Sequence, residues 1–182
     1  QIPVSSTSVG FCSGTLVNNT NADCKPYFLT AFHCDNDLNN YNQWVYYFNY
    51  EYAGCSNTGS VTSTNTMTGA VVRARSNDLN ATSTSSDFLL LELNQNVPTT
   101  YNPYYNGWNA SNTIPTSGVS IHHPAGGYKK ISTYTSALVS SAYGWGGPQS
   151  HWRVRWVGTA NGHGVTEGGS SGSPIFNNNK NA

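Results

Sequence analysis

A glycine-rich turn near the end of the sequence carries the groups that nucleophilic catalysis needs. Residues 168–174 read Gly-Gly-Ser-Ser-Gly-Ser-Pro. A turn of the type Gly-X-Ser-Gly-X-Pro lets a serine hydroxyl project from a tight loop whose backbone N–H groups point the same way. Such a turn supplies both a nucleophile and an oxyanion hole. Ser171 is therefore the candidate nucleophile for acyl transfer.

A serine hydroxyl is a weak nucleophile until a base removes its proton, and that base works best when a buried carboxylate orients it. His33 stands at the end of the apolar run 29–34, Leu-Thr-Ala-Phe-His-Cys, beside a cysteine that could hold it in place. Asp87 directly precedes the run Phe-Leu-Leu-Leu at 88–91, where a polar loop enters a buried strand. The order His33, Asp87, Ser171, with long separations, predicts a catalytic triad.

The other acidic residues fit the role of carboxylate partner less well. Glu92 lies inside a strand-like run, where we expect its side chain to face solvent. Asp23, Asp35 and Asp37 lie in Asn-rich stretches and are expected to be ordinary turn residues. Asp87 therefore remains the best candidate among the eight acidic residues of the chain.

The elements that must position these residues are predicted to be almost entirely β. Short alternating or aromatic-rich runs are separated by turn-forming clusters, and no stretch keeps a helical period for three turns. Many short strands at this spacing are typical of a sandwich or of closed barrels. The Pro-, Asn- and Tyr-rich stretch 94–116 is expected to link two halves of the chain. The predicted strands are 13–17, 27–31, 44–50, 69–74, 88–93, 119–122, 130–134, 152–157 and 174–176.

The composition favours an exported globular protein of one large domain or two small barrels. The chain has 182 residues, 8 of them basic and 8 acidic, so only 9% of residues are charged. This neutral balance gives no electrostatic reason to expect a nucleic-acid or membrane partner. No apolar run approaches the roughly 18 residues that a membrane span needs. The 13% of aromatic residues argue against disorder, and a monomer is the default expectation.

The four cysteines and the paired histidines are the candidates for disulfides or metal ligands. Cys12, Cys24, Cys34 and Cys55 all lie in the first third of the chain. Their even number and the absence of a Cys-X-X-Cys pair favour disulfides, with three possible pairings that the sequence alone does not resolve. Adjacent histidines such as those at 122 and 123 face opposite sides of a strand, so neither a metal site nor a cofactor is expected.

Several short blocks of the sequence share one resemblance. They are 14–20, 30–34 (Thr-Ala-Phe-His-Cys), 86–93 (Ser-Asp-Phe-Leu-Leu-Leu-Glu-Leu), 121–124, 164–167 and 169–174 (Gly-Ser-Ser-Gly-Ser-Pro). The blocks around His33, Asp87 and Ser171 resemble the three signature blocks of chymotrypsin-fold (trypsin-like) serine proteases. Together the blocks are most similar to the bacterial lysyl endopeptidases, and the resemblance runs over nearly all of the chain.

The resemblance implies a fold in which residues 1–182 form a trypsin-like protease domain. Two antiparallel β-barrels of the six-stranded type are expected, with the active site between them. Residues 1–97 would form the barrel with His33 and Asp87, and residues 112–182 the barrel with Ser171. The chain ends eleven residues after Ser171, before the strands that wall the specificity pocket in this fold. We therefore expect part of a longer protein with an incomplete C-terminal barrel.

The same resemblance assigns roles to the site residues. His33 would be the general base and then the acid that protonates the leaving amine, Asp87 would orient it, and Ser171 would form the acyl-enzyme. The N–H groups of Gly169 and Ser171 would receive the oxyanion. Ser170 stands where trypsin-type enzymes carry an aspartate that pairs with a freed N-terminus. Activation through that ion pair is therefore not expected in this chain.

Two disulfides and one pocket residue also follow from the resemblance. Cys12 and Cys34 match the bridge that ties the histidine loop to its neighbouring strand. Cys24–Cys55 is expected as a substitute for a family bridge whose other cysteine lies in a segment that this chain lacks. Trp145, in Gly-Trp-Gly-Gly, matches a tryptophan that flanks the pocket of the lysyl enzymes, where it could pack on the stem of a lysine side chain.

The function predicted in this way is a secreted serine endopeptidase that cleaves polypeptides, with the preference for lysine taken by analogy. A glutamyl endopeptidase is the alternative within the enzyme class, because those relatives also use Gly-X-Ser-Gly-Ser-Pro. A protease-like binding module without activity is the alternative from a different class. The early end of the chain leaves open whether this part is active by itself.

Overall fold

The computed structural model of the chain describes residues 1–35, 39–61, 65–76, 86–142, 148–160 and 162–182. The described residues form short strands joined by turns, and the helices among them are single 3-10 turns at Phe32–Asp35, Tyr41–Gln43, Thr99–Tyr101 and Pro124–Gly126. None of these helices is long and apolar enough to cross a membrane. The strands are β1 (Ile2–Pro3), β2 (Val9–Gly10), β3 (Thr15–Val17), β4 (Tyr27–Ala31), β5 (Val45–Phe48), β6 (Asn65–Thr68), β7 (Ala70–Arg75), β8 (Phe88–Leu93), β9 (Gly118–His122), β10 (Lys130–Tyr134), β11 (Val139–Ser141), β12 (His151–Arg153), β13 (Gly158–Thr159), β14 (Gly162–His163) and β15 (Ile175–Asn177).

Two sheets carry the larger part of the structure, and all their strand pairs are antiparallel. The four-stranded sheet has the order β3-β4-β8-β7, and the three-stranded sheet has the order β10-β9-β15. The remaining strands pair in twos: β1 with β2, β5 with β6, β11 with β12 and β13 with β14. The stretch between β8 and β9 contains one 3-10 turn and no named strand, and within it Asn106 forms an isolated bridge with Val17 of β3. Its role as a linker between two halves stays a prediction.

Strand β8 shows why the four-stranded sheet forms. Its sequence, Phe-Leu-Leu-Leu-Glu-Leu, buries alternate residues: Leu89 and Leu91 are fully buried and Leu93 is 3% exposed. Because successive side chains of a strand point to opposite faces, this alternation places one apolar face against the core. The other members of this core are apolar residues of the first 97 positions, among them Ile2, Leu16, Phe32, Trp44, Tyr46 and Met67.

The three-stranded sheet buries a different kind of side chain. Ser120 and His122 on β9, together with Ser132 on β10, are each 1% exposed. Tyr134 is fully buried beside them, and its hydroxyl donates to the Phe176 carbonyl at 3.0 Å. The buried side chains of this sheet are therefore held largely by hydrogen bonds.

The all-β prediction is confirmed, and each predicted strand overlaps an observed one. The segment 152–157 is shorter than predicted: it forms β12 and then only an isolated bridge between Val157 and Thr133. The sequence reading missed β6, whose Asn-Thr-Met-Thr lacks an apolar run, and the very short β1, β2, β11, β13 and β14. The pair of closed barrels stays a prediction.

Candidate active site

The register of two neighbouring strands brings His33 and Asp87 together. In the antiparallel pair of β4 and β8, Ala31 at the end of β4 lies opposite Phe88 at the start of β8. The 3-10 turn with His33 directly follows β4, and Asp87 directly precedes β8, so both lie just beyond that pair. A base and a carboxylate that are 54 positions apart in the sequence thus become neighbours.

Asp87 contacts the histidine turn through three of its oxygen atoms. Its Oδ2 lies 2.6 Å from His33 Nδ1, and its Oδ1 accepts the backbone N–H of His33 at 2.9 Å. Its backbone carbonyl accepts the N–H of Phe32 at 2.9 Å. Asp87 adopts a φ of 54°, in the left-handed region that Asp tolerates because its side chain can hydrogen-bond locally. The position of the imidazole is therefore fixed relative to the carboxylate.

The imidazole of His33 links this carboxylate to the candidate nucleophile. His33 Nε2 lies 2.8 Å from Ser171 Oγ. A carboxylate can only accept, so Nδ1 carries the ring proton and Nε2 is free to accept the Ser171 hydroxyl. The hydrogen bond that His33 donates to Asp87 raises the pKa of His33 above its usual 6.5, while partial burial opposes this shift. The three side chains thus form one hydrogen-bonded row, in the order Asp87, His33, Ser171.

Residues 168–174, with the candidate nucleophile Ser171, are called the nucleophile loop below. Ser13, which the sequence analysis did not single out, holds this loop from the side of the four-stranded sheet. Its Oγ donates to the Gly169 carbonyl at 2.8 Å and accepts the His123 N–H at 2.9 Å. Its own N–H donates to the Ser171 carbonyl at 2.8 Å, and its carbonyl accepts the Thr30 hydroxyl at 2.8 Å. Ser13 is 3% exposed, so these bonds form away from solvent.

The two N–H groups predicted for the oxyanion hole are oriented by the carbonyls on the other side of the same peptide groups. The Gly168 carbonyl accepts the Ala125 N–H at 2.7 Å, and the Ser170 carbonyl accepts the Ser173 N–H at 3.0 Å. In a trans peptide the N–H points away from the C=O. The N–H groups of 169 and 171 therefore point away from these partners, and neither donates to another group in the described part of the chain.

Glycine is required at two positions of this loop. Gly172 has a φ of 83°, and a Cβ there would collide with Thr30 Oγ1 and the Ser13 carbonyl oxygen. Gly169 has a φ of 94°, and a Cβ there would lie 2.7 Å from Gly126 N and from the His123 carbonyl oxygen. Both positive φ values and the close contacts exclude larger residues.

One of the two predicted disulfides is formed and the other is not. Cys12 and Cys34 are bridged, which ties the residue after His33 to the segment before β3. The Cys24–Cys55 prediction is wrong for this structure: both cysteines are free and exposed. Cys24 lies in the loop between β3 and β4, and Cys55 lies in a separate loop after β5, so no strand pairing brings them together.

Three further sequence predictions have different outcomes. Trp145 falls outside the described residues, as does Asp37. Asp35 is not an ordinary turn residue: it is fully buried, and its carboxylate accepts the Tyr41 hydroxyl at 2.6 Å and the Asn39 N–H at 3.0 Å. The Glu92 side chain is 18% exposed and pairs with Arg73 at 2.7 Å, away from His33.

A cavity, but no group of metal ligands, lies near the site in the described part of the chain. Within the described ranges, no group of three or more His, Cys, Asp and Glu could hold a metal ion. A largely apolar cavity of about 270 Å³ lies beside the Cys12–Cys34 bridge, and Phe11, Tyr46 and Gly126 are among its lining residues. Phe11 packs against Gly126, which in turn contacts Gly169, so the cavity adjoins the nucleophile loop.

Among the described residues, a hydrogen-bonded row of aspartate, histidine and serine lies beside two N–H groups that donate to no other group. Serine proteases are a class of enzyme that uses such an arrangement. The whole chain, residues 1–182, matches the family model described as lysyl endopeptidase, C-terminal domain. It is 32% identical over 166 residues to the lysyl endopeptidase of Pseudomonas aeruginosa, a match that covers 91% of this chain and 33% of that protein. The chain therefore belongs to the lysyl endopeptidase family. It spans about a third of the length of that relative.

Among solved structures, the inactive form of the Rv3671c protease is similar, with a TM-score of 0.48 and 13% identity over 94% of this chain and 68% of that chain. An inactive mutant of Rv3671c from M. tuberculosis H37Rv has a TM-score of 0.42 and 14% identity, over 94% of this chain and 66% of that chain.

Proposed function

We propose that this chain is the catalytic part of a secreted serine endopeptidase that hydrolyses polypeptides on the carboxyl side of lysine. The observation that carries the proposal is the unbroken row from Asp87 through His33 to Ser171, with separations of 2.6 and 2.8 Å. The lysine preference rests on membership of the lysyl endopeptidase family. The expected architecture is the barrel pair 1–97 and 112–182, acting as a monomer and without a cofactor.

In this mechanism the Ser171 oxygen attacks the carbonyl carbon of the scissile bond while its proton moves to His33 Nε2. The carbonyl oxygen becomes an oxyanion and accepts the N–H groups of Gly169 and Ser171. His33 then gives its proton to the amine as the C–N bond breaks, which leaves an acyl-enzyme on Ser171. Water, deprotonated by His33, repeats the attack and releases the acid, and the proton returns to Ser171.

Asp87 contributes by keeping the proton of His33 on Nδ1 and by stabilising the imidazolium that forms during each attack. The loss of one oxyanion donor in such a site typically costs about 3–4 kcal/mol. The hydrogen bonds that fix the carbonyls of Gly168 and Ser170 therefore matter to the rate, because they aim the two N–H donors before the substrate arrives.

The test is labelling of the full-length protein by a fluorophosphonate probe, followed by hydrolysis of matched lysyl and glutamyl ester substrates. The wild type is expected to be labelled at Ser171 and to prefer the lysyl ester. Ser171→Ala should lose both activities, while Ser111→Ala, an exposed serine, should keep them. Preference for the glutamyl ester would overturn the lysine assignment. Absence of labelling and turnover in the wild type would favour a binding module.

A further inference from the structure

A second histidine, outside the triad, lies buried directly beneath the nucleophile loop. His122 is 1% exposed, and its Nδ1 lies 2.8 Å from Ser170 Oγ while its Nε2 lies 2.9 Å from Ser132 Oγ. The backbone above Ser132 approaches so closely that a Cβ at Gly164 would lie 2.6 Å from its Oγ. The proposed mechanism does not use this residue.

The directions of the hydrogen bonds follow from the neighbours of the two serines. Ser132 donates its hydroxyl to the Val165 carbonyl at 3.0 Å, so its Oγ can only accept from His122. Nε2 of His122 therefore carries the proton, and Nδ1 is the acceptor. Ser170 Oγ accepts the Glu167 N–H at 3.1 Å and has its own hydroxyl left to donate to Nδ1. Each polar atom in this buried row then has a suitable partner.

Ser170 is the residue between the two oxyanion donors. Its backbone N–H donates to the Glu167 carbonyl at 2.9 Å, and its side chain is held by His122. We propose that neutral His122 is a positioning residue: by accepting the Ser170 hydroxyl, it holds the loop so that the N–H groups of Gly169 and Ser171 face the substrate carbonyl. This inference rests on the proposed function, since it concerns the same active site.

Protonation of His122 would break this arrangement. Both ring nitrogens would then donate, and Ser170 Oγ would have to accept from Nδ1 as well as from the Glu167 N–H. The Ser170 hydroxyl proton would lose its acceptor in a residue that is only 5% exposed. A buried donor without a partner is costly, so the loop would rearrange around Ser170. The neutral imidazole is therefore the form that orders the site.

The charged groups around His122 do not oppose its neutral form strongly. Burial lowers its pKa most, adjacent His123 lowers it further, and Glu167 raises it. Lys130 lies opposite His122 on β10, with its ammonium bonded to Asn57. The other neighbouring strand, β15, has the sequence Ile-Phe-Asn and carries no ionisable side chain.

Two substitutions separate the contact with Ser170 from the contact with Ser132. In His122→Asn the side-chain oxygen can stand where Nδ1 stands and accept the Ser170 hydroxyl. In His122→Gln the amide reaches the place of Nε2 and keeps only the bond to Ser132. Both variants lose the ring, so a merely structural role predicts similar losses. His163→Gln, a change at an exposed histidine, is the control for histidine loss in general.

The measurement is kcat and KM for a lysyl ester on the full-length variants, with fluorophosphonate labelling of the wild type as reference. We expect His122→Gln to lower kcat by roughly 10- to 100-fold with little change in KM, because an oxyanion donor acts in the transition state. His122→Asn should keep kcat within about threefold of the wild type. Equal losses in both variants, or a loss confined to KM, would overturn the proposal.

Imidazole nitrogen NMR on the wild type tests the proton directions without any substrate. We expect His122 to carry its proton on Nε2 and none on Nδ1, and to keep this neutral form at pH values below 6.5. The opposite tautomer or a charged ring there would overturn the inference. Ser171 labelling in the wild type together with equal Asn and Gln losses would refute this inference alone. A wild type that is neither labelled nor active would refute the proposed function and this inference with it.

Discussion

The two sheets that supply the active site are stabilised by different interactions. Around the sheet of β3, β4, β7 and β8 the interior is one apolar cluster, whose buried members all lie between residues 2 and 97. Around the sheet of β9, β10 and β15 the buried strand residues include Ser120, His122 and Ser132. His122 is hydrogen-bonded to Ser132, and Ser120 donates to the Pro174 carbonyl. The first sheet positions His33 and Asp87, the proposed base and its carboxylate, and the second holds the loop of the proposed nucleophile Ser171.

This difference fits the two tasks. Apolar contacts are strong in sum but have little directional preference, and they suit a platform whose backbone register alone brings His33 to Asp87. Hydrogen bonds have a required direction and length, and they suit a loop in which two N–H groups must be aimed at one oxygen atom. Stability and aim are thus supplied by separate parts of the molecule, and the contrast can be tested.

The largest expected effect concerns the base on the apolar platform. Asp87→Asn should lower kcat by about 10⁴-fold, because an amide N–H facing Nδ1 favours the wrong tautomer of His33. The measurement is steady-state hydrolysis of a lysyl ester by the full-length protein. Asp23→Asn, at an exposed turn, is the matched control and should be unchanged. Wild-type activity in Asp87→Asn would remove this sheet from the catalytic scheme.

The next effect compares the two interiors directly by urea unfolding. Leu91→Ala, at a fully buried position, should lower the free energy of unfolding by about 2–5 kcal/mol. Ser120→Ala removes the bond from its hydroxyl to the Pro174 carbonyl and should lower it by about 1–3 kcal/mol. A greater loss in Ser120→Ala than in Leu91→Ala would contradict the idea that the apolar sheet is the main source of stability.

The third prediction concerns the pH dependence of the activity. His33 must be neutral to accept the Ser171 proton, and the hydrogen bond that it donates to Asp87 raises its pKa above 6.5. The value of kcat/KM should therefore fall about tenfold per pH unit below that raised pKa. A pH–rate profile of the wild type measures the midpoint of this fall. A midpoint below 6.5 would show that Asp87 does not hold the imidazolium as the structure indicates.

The smallest expected effect distinguishes the two histidines by the sign of their contribution to stability. The pKa of His33 is raised, so its contribution is present below 6.5 and is lost as the pH rises through its folded-state pKa. The pKa of His122 is lowered by burial, so its contribution is present above 6.5 and is lost as the pH falls through its folded-state pKa. The two sheets should thus respond to pH in opposite ways.

Urea unfolding at several pH values measures this contrast in three proteins: the wild type, His33→Ala and His122→Asn. The stability difference between the wild type and His122→Asn should shrink as the pH falls. The difference between the wild type and His33→Ala should shrink as the pH rises. His123, whose pKa is also lowered, is present in all three proteins. Because it interacts with His122, its effect cancels only in the comparison of the wild type with His33→Ala. Trends of the same sign would refute the assignment of opposite shifts.

Much of this structure could be predicted from the sequence because the signals are local. The alternating leucines of β8 predict a strand with one buried face, and the glycine–serine turn predicts an exposed hydroxyl. The order of His33, Asp87 and Ser171 predicted a triad. The register of β4 and β8 brings His33 to Asp87, and Ser171 lies within hydrogen-bonding distance of His33. The positive φ values at positions 169 and 172 explain why the turn has glycine there.

The residues that sequence reasoning missed owe their roles to distant partners. Ser13 looks like any serine beside a cysteine, and its importance comes from carbonyls more than 150 positions away. Asp35 appeared to be a turn residue because Tyr41 and Asn39, its partners, give no local sign of burying it. The Cys24–Cys55 pair was expected from the family resemblance, but each cysteine lies in a loop of its own and both thiols are free.

The bonds of Ser13 also bear on how the molecule would lose activity under stress. Through one residue, the segment before β3 is joined to the carbonyls of Gly169 and Ser171, and the same residue is joined to Thr30 of β4. The hydrogen bonds between the two sheets therefore include those that hold the nucleophile loop. If the proposed function holds, a molecule whose sheets begin to separate loses its catalytic activity before it unfolds. A protease built in this way has a safeguard against digesting its own partly opened copies.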